Sequence, residues 1–263
     1  MNDLRIMADS DSWQIPNHCG FPLKKQSIVA DPRARLKTTT ADSRVPRAPH
    51  PLAGAEFVTG VAEPAQLPVI GVPEIAFAGR SNAGKSSAIN ALAQRTGLAF
   101  ASRTPGRTQQ INLFRLRSGA LVADLPGYGY AAVAKEVKRG WQDVLWHYVT
   151  TRPTLAALVL IVDSRHGLQA LDRELLTGFV PSGRPVLILA TKADKLKRAA
   201  ARVALAAIES ELRELFEFPP ANVGVQLFSA TTRQGVAEAE AIIAQWLPAT
   251  DPVGRDGAPR LGN

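Results

Sequence analysis

The chain is short of several things. It has one cysteine, Cys19, among 263 residues. No disulfide can close within it, and such thiol usage suits a reducing cytoplasm. No run of about 18 uninterrupted apolar residues occurs, so no membrane span is expected. The first 30 residues lack a basic start followed by an apolar block, and Asp3, Asp9 and Asp11 argue against a transit peptide. No internal repeat is visible.

What is present is an ordinary globular composition, 46% hydrophobic and 21% charged, so most of the chain should fold. The net charge is +8 and the sequence pI about 10. That balance fits a polyanionic partner, nucleic acid or ribonucleoprotein, as readily as a merely basic surface. Residues 1–50 end in "DPRARLKTTTADSRVPRAPH" and show no helical or strand period. They read as a disordered leader, 51–248 as one folded domain and 249–263 as a disordered tail.

Within 51–248, strand and helix signals alternate. "EIAFAG" (74–79), "LAALVLIVD" (155–163), "RPVLILATKAD" (184–194) and "VGVQLFSA" (223–230) are apolar runs of the kind buried on both faces of a parallel sheet. "INLFRLR" (111–117) alternates, and it meets "ALVADLPG" (120–127) across Ser118-Gly119, a hairpin turn. Helical stretches are expected near 85–94, 132–151, 169–180, 196–217 and 233–247. The pattern predicts an α/β domain with helices on both faces of a mostly parallel six-stranded sheet and one antiparallel edge strand.

"GRSNAGKS" (79–86) follows a predicted strand and opens a predicted helix, the context a phosphate loop requires. Gly79 and Gly84 let backbone wrap closely around phosphate. Lys85 reaches the β- and γ-phosphates, and the Ser86 hydroxyl binds Mg2+. "TKAD" (191–194) ends a buried strand. The Asp194 carboxylate can pair with guanine's ring N–H and exocyclic amine together, and adenine offers no such donor pair. Lys192 can lay its stem along the base. In "FSA" (228–230) the Ala230 amide can meet the guanine carbonyl. In "DLPG" (124–127) Asp124 is placed to hold Mg2+ through a water, and the Gly127 amide to meet the γ-phosphate. "ASRTPGRTQQ" (101–110) reads as a loop whose hydroxyl completes the metal shell. Thr104 and Thr108 both qualify, and Thr108 lies closer to the strand at 111.

Taken in order, "GRSNAGKSSAIN", "TPGRTQQINLF", "DLPGYGYA", "TKAD" and "FSA" resemble the bacterial ribosome biogenesis GTP-binding proteins of the EngB (also YihA or YsxC) type, within the Era/TrmE-like GTPases. The resemblance spans about 52–248. It implies a P-loop NTPase G domain, GTP/GDP and Mg2+ as ligands, and Ser86 and Thr108 as direct metal ligands. It implies nucleotide contacts through Arg80, Ser81, Asn82 and Ala83 of the phosphate loop, and through Gly106, Arg107, Thr108, Gln109 and Gln110 of the following loop. Further contacts are implied at Leu125 and Pro126 beside Asp124 and Gly127, at Thr191, Lys192 and Ala193 beside Asp194, and at Phe228 and Ser229 beside Ala230. Lys85, Thr108 and Gly127 are then the groups around the reacting phosphate. The implied role is late assembly of the 50S ribosomal subunit, with links to cell division and septation, carried out by a monomer. Gln110 stands where that family often has leucine. Asn82 either helps hold K+ near the phosphates, as in Era/TrmE-like proteins, or simply tolerates the turn geometry.

Two other readings are a phosphotransferase, which "TKAD" disfavours, and a GTP-binding scaffold with negligible hydrolysis. Tyr128 stands where Ras-like switches carry a water-orienting glutamine. An unperturbed phenol titrates near 10 and cannot activate water at neutral pH. Slow intrinsic turnover is therefore expected, with the missing group supplied by backbone, by K+ or by the ribosome. Lys135, Lys138, Arg139 and "KADKLKR" (192–198) are either RNA contacts or solvated faces.

Overall fold

The computed structural model describes residues 50–63, 66–68, 71–99, 110–129, 144–216 and 220–248. The expected leader (save His50) and tail lie outside them, as do Thr104, Gly106, Arg107, Thr108, Gln109, Lys135, Lys138 and Arg139. Seven strands form the sheet: β1 (Glu56–Val61), β2 (Glu74–Gly79), β3 (Ile111–Arg115), β4 (Leu121–Asp124), β5 (Leu155–Asp163), β6 (Val186–Thr191) and β7 (Val223–Leu227). Their spatial order is β1-β3-β4-β2-β5-β6-β7. The helices are α1 (Lys85–Leu92), α2 (144–151), α3 (Ala170–Phe179), α4 (Arg198–Leu215) and α5 (Val236–Ala244).

The parallel core forms because its strands are apolar on both faces, and alternate residues feed two separate cores. Ala157, Val159 and Ile161 of β5 pack with Ala88, Ile89 and Leu92 of α1 and Val236, Ala239 and Ile243 of α5. Leu158, Leu160 and Val162 pack with Tyr148 and Val149 of α2, Leu175 and Phe179 of α3, and Ile208 and Leu212 of α4. One period-2 pattern thus places two helices on one face and three on the other.

The expected α/β sheet is present, with one strand more than the six anticipated. β1 pairs antiparallel with β3, and β3 antiparallel with β4, so β3 alone runs against the rest. β3 consequently lies one place in from the edge, covered by β1. "EFVTGV" carries a weak strand signal because the register shifts between Phe57 and Thr59 and only Val61 is fully buried. The β3–β4 turn falls at Ser118-Gly119 as expected, with Gly119 at φ +82° and the Leu116 amide donating to Ala120 O at 2.9 Å. Among the described residues, no helix is long and apolar enough to cross a membrane.

Candidate nucleotide-binding site

β2, β4, β5, β6 and β7 run parallel, so their carboxyl ends share one edge of the sheet. Ligands of open α/β sheets bind there. The phosphate loop leaves β2 at Gly79, where any side chain would bring a Cβ within 2.6 Å of Ile161 O. Gly84, at φ +103°, caps α1, and its left-handed backbone favours glycine. Asn82 is also left-handed, φ +66°. Asparagine tolerates that geometry, as the turn reading anticipated. Its side chain is exposed.

Lys85 and Ser86 are the first two residues of α1. Lys85 Nζ forms a part-buried ion pair with Asp124 Oδ1 at the end of β4. Ser86 and Asp124 offer hard oxygens. Among the described residues, no group of three or more His, Cys, Asp or Glu gathers anywhere. A hydroxyl and a carboxylate suit Mg2+, which draws its remaining ligands from phosphate and water.

The turn after β4 sits directly on the phosphate loop. The Ser81 amide donates to Tyr128 O at 2.8 Å, the Tyr128 amide to Gly79 O at 3.4 Å, and the Ser81 hydroxyl to Gly127 O at 3.3 Å. A Cβ on Gly127 would lie 3.2 Å from the Ser81 hydroxyl. Leu125 and Pro126 are buried, so their side chains face the protein interior and only their backbone is available to a ligand. Tyr128 is buried too. Its hydroxyl donates to Asp172 Oδ1 at 2.6 Å, and the other oxygen of Asp172 accepts the Gln169 amide at 2.8 Å and so caps α3. Burial, with the Asp172 charge adding, pushes the Tyr128 phenol well above its ordinary value. The phenol is neutral and committed to Asp172.

The base-reading loop joins the last strand by direct contact. The Ala193 amide donates to Phe228 O at 3.2 Å. The Ser229 hydroxyl donates to Asp194 Oδ1 at 2.7 Å, and Lys195 Nζ lies 3.2 Å from Asp194 Oδ2. The Ser229 bond, with help from Lys195, holds the Asp194 carboxyl below its ordinary range. Asp194 is thus an ionised acceptor at neutral pH. Phe228 is fully buried and offers this loop its backbone alone.

The Thr191 hydroxyl lies 2.5 Å from Ala83 O and 3.0 Å from Val162 O, and Lys192 Nζ donates to Asn82 O at 2.5 Å. Both groups tie "TKAD" back to the phosphate loop. Two carboxylates at this edge were not anticipated. Asp163 pairs with Arg165 and Lys192, and Asp172 holds Tyr128. The available signal was an acidic residue closing a buried apolar strand, Asp163 in "LAALVLIVD". Gln110 is exposed and leads into β3, and its side chain approaches Gly60 rather than the loops.

A phosphate loop joined to a carboxylate base reader and a glycine turn defines a P-loop guanine-nucleotide-binding domain. Residues 74–192 match the family model described as 50S ribosome-binding GTPase, and "Probable GTP-binding protein EngB" of Azoarcus sp. (strain BH72) is 51% identical over 193 residues, 73% of this chain and 91% of that protein. The chain belongs to the EngB family of GTP-binding proteins. Its counterpart from Aromatoleum aromaticum is 52% identical over 73% of this chain and 88% of that protein. A crystal structure of a probable EngB protein matches with a TM-score of 0.54 at 24% identity, covering 65% of this chain and 97% of that one. At that identity it speaks to the fold alone.

Proposed function

We propose that the protein is a GTP-hydrolysing molecular switch that assists late assembly of the 50S ribosomal subunit in the cytoplasm and is needed for normal cell division and septation. The observation that carries the switch reading is the seating of residues 124–128 on the phosphate loop through Ser81, Gly127 and Tyr128. A turn so placed responds to the presence or loss of a γ-phosphate. The family description as a 50S ribosome-binding GTPase and the net charge of +8 support a ribosomal partner rich in RNA phosphate.

In this reading Asp194 and the Ala230 amide select guanine, and Lys85 exchanges its pairing with Asp124 for the β- and γ-phosphates. The Gly127 amide meets the γ-phosphate; as water attacks phosphorus, the bond to the β–γ bridging oxygen breaks and negative charge grows on the β-phosphate, where Lys85 stabilises it. Mg2+ would be held by the hydroxyls of Ser86 and Thr108 and by Asp124 through water, and neutralises phosphate charge when bound. The Asn82 side chain is the position from which K+ would be held.

Tyr128 is committed to Asp172, which leaves this turn without a side chain to orient water. Intrinsic turnover is therefore slow and the ribosomal partner accelerates it. The same observation favours the second reading, a GTP-binding scaffold without useful hydrolysis. Single-turnover hydrolysis with and without 50S particles separates the two: no turnover in either condition leaves the scaffold. Sedimentation with 30S and 50S particles in GTP, GDP and a non-hydrolysable analogue tests the partner. Binding should be specific to 50S, depend on the nucleotide, and weaken steeply as salt rises. Equal binding to both subunits in every nucleotide state would overturn the assignment.

A further inference from the structure

We infer that Asp163 is a positioning residue for the nucleotide: it holds the Lys192 ammonium against the phosphate loop and so makes the base-reading loop and the phosphate loop grip as one unit. The inference rests on the guanine-nucleotide reading above and assigns a role to a carboxylate outside every motif of that reading.

The sheet supplies the first argument. β5 lies between β2, which feeds the phosphate loop, and β6, which feeds the base-reading loop. Its end is in register with both, Ile161 beside Gly79 and Asp163 beside Thr191. Asp163 is therefore the last residue of the one strand that stands between the two loops.

The second argument is the bonding. Lys192 Nζ is 3.0 Å from Asp163 Oδ2 and 2.5 Å from Asn82 O. An ammonium has three donors, so these two contacts leave one for a ligand. Lys192 and Asn82 both have left-handed backbones, at φ +58° and +66°. Two uncommon conformations therefore face each other, joined by one side chain. Asp163 is itself fixed by a fork from Arg165, with Nε 2.9 Å from Oδ1 and Nη2 2.6 Å from Oδ2. The Arg165 amide adds a bond of 3.1 Å to Oδ1. Burial works to raise the Asp163 carboxyl, but the bonds from Arg165 and Lys192 outweigh it and hold the group below its ordinary range. Asp163 thus remains an anion at neutral pH, able to restrain a cation.

The test is release of a fluorescent GDP analogue from the full chain, by stopped flow, with melting of the nucleotide-free protein as a control. Asp163→Asn should speed release about tenfold, the scale set by one charge-assisted hydrogen bond. Lys192→Ala should speed it at least as much. The double variant should release no faster than Lys192→Ala alone, because Asp163 acts through Lys192. Fully multiplicative effects in the double variant, or an Asp163→Asn variant that melts lower yet releases GDP at the parental rate, would overturn the inference. Arg165→Gln, on the exposed side of the fork, covers the case in which Asp163→Asn fails to fold. Release should speed by about threefold or more, because the fork that fixes Asp163 is gone, and release at the parental rate would overturn the inference. If the parent chain itself bound no GDP analogue, the nucleotide reading would be what failed.

Discussion

Two buried tyrosine–carboxylate pairs sit at opposite ends of the sheet, and they are built differently. Where β2 begins, the Tyr148 hydroxyl donates to Glu74 at 2.5 Å. Glu74 also accepts from Thr154 at 2.7 Å and from both Nε and Nη2 of Arg152. That carboxylate is fully buried and fully partnered, countercharge included. At the carboxyl edge, Asp172 is as deeply buried but, among the described residues, accepts from a phenol and a backbone amide alone. Arg80 and Arg173 act on it through space alone. The first pair is a closed structural joint. The second joins the turn at 124–128 to α3 through neutral donors. The buried countercharge belongs to the Glu74 pair and not to the Asp172 pair.

The largest test of this contrast is Glu74→Gln. It leaves the Arg152 guanidinium, 11% exposed, without its countercharge, which should cost about 3–5 kcal/mol in urea unfolding. A loss under about 1 kcal/mol would mean the two ends are not differently built. Next is Asp194→Asn at the other end. Replacing one acceptor oxygen by an amide donor inverts the pattern shown to the base. GDP affinity should fall by about 100-fold or more while xanthosine nucleotides gain. The unfolding free energy of the nucleotide-free protein should move by less than about 1 kcal/mol. An unchanged guanine preference in a nucleotide titration would remove Asp194 from base recognition.

Legibility in the sequence follows the same divide. β5 occupies the apolar run at 155–163 and β2 the run at 74–79, residue for residue, because strands buried on both faces need unbroken apolar sequence. The phosphate loop and "TKAD" were legible because each fixes local backbone chemistry at a strand end. β1 was not, since an edge strand with a register shift carries no clean period. Asp163 and Asp172 were not either. Their partners, Lys192 and Tyr128, stand 29 and 44 positions away, and only strand order and helix placement bring them together. For Tyr128 the sequence excluded water activation, but the destination of its hydroxyl depended on where α3 begins.

Tyr128→Phe is a smaller perturbation aimed at the Asp172 pair. It strips Asp172 Oδ1 of its donor in a buried site, at a cost of about 1–2 kcal/mol in chemical unfolding. Intrinsic GTP hydrolysis, measured with the folded variant in excess, should stay within about threefold of the parent because the phenol never reaches the reacting water. A fall of about 100-fold would put the hydroxyl in the chemistry and sink the structural reading.

The smallest effect separates carboxylates by the sign of their pH dependence. Burial holds the Asp172 carboxyl above its ordinary value. The folded protein therefore takes up this proton before the unfolded chain does as pH falls. The penalty of the buried charge is present at neutral pH and relieved as pH drops through the folded value. Asp163 has the opposite sign. Its charge is favoured in the fold, so its contribution is present above the ordinary carboxylate value and lost only in stronger acid. Comparing the parent with Asp172→Asn at pH 7 and pH 5, the difference in unfolding free energy should shift in the parent's favour at the lower pH. The same comparison with Asp163→Asn should give equal differences at both. Equal differences at both pH values for Asp172→Asn as well would show that the Asp172 charge is compensated as fully as that of Glu74, and the two pairs would then be alike.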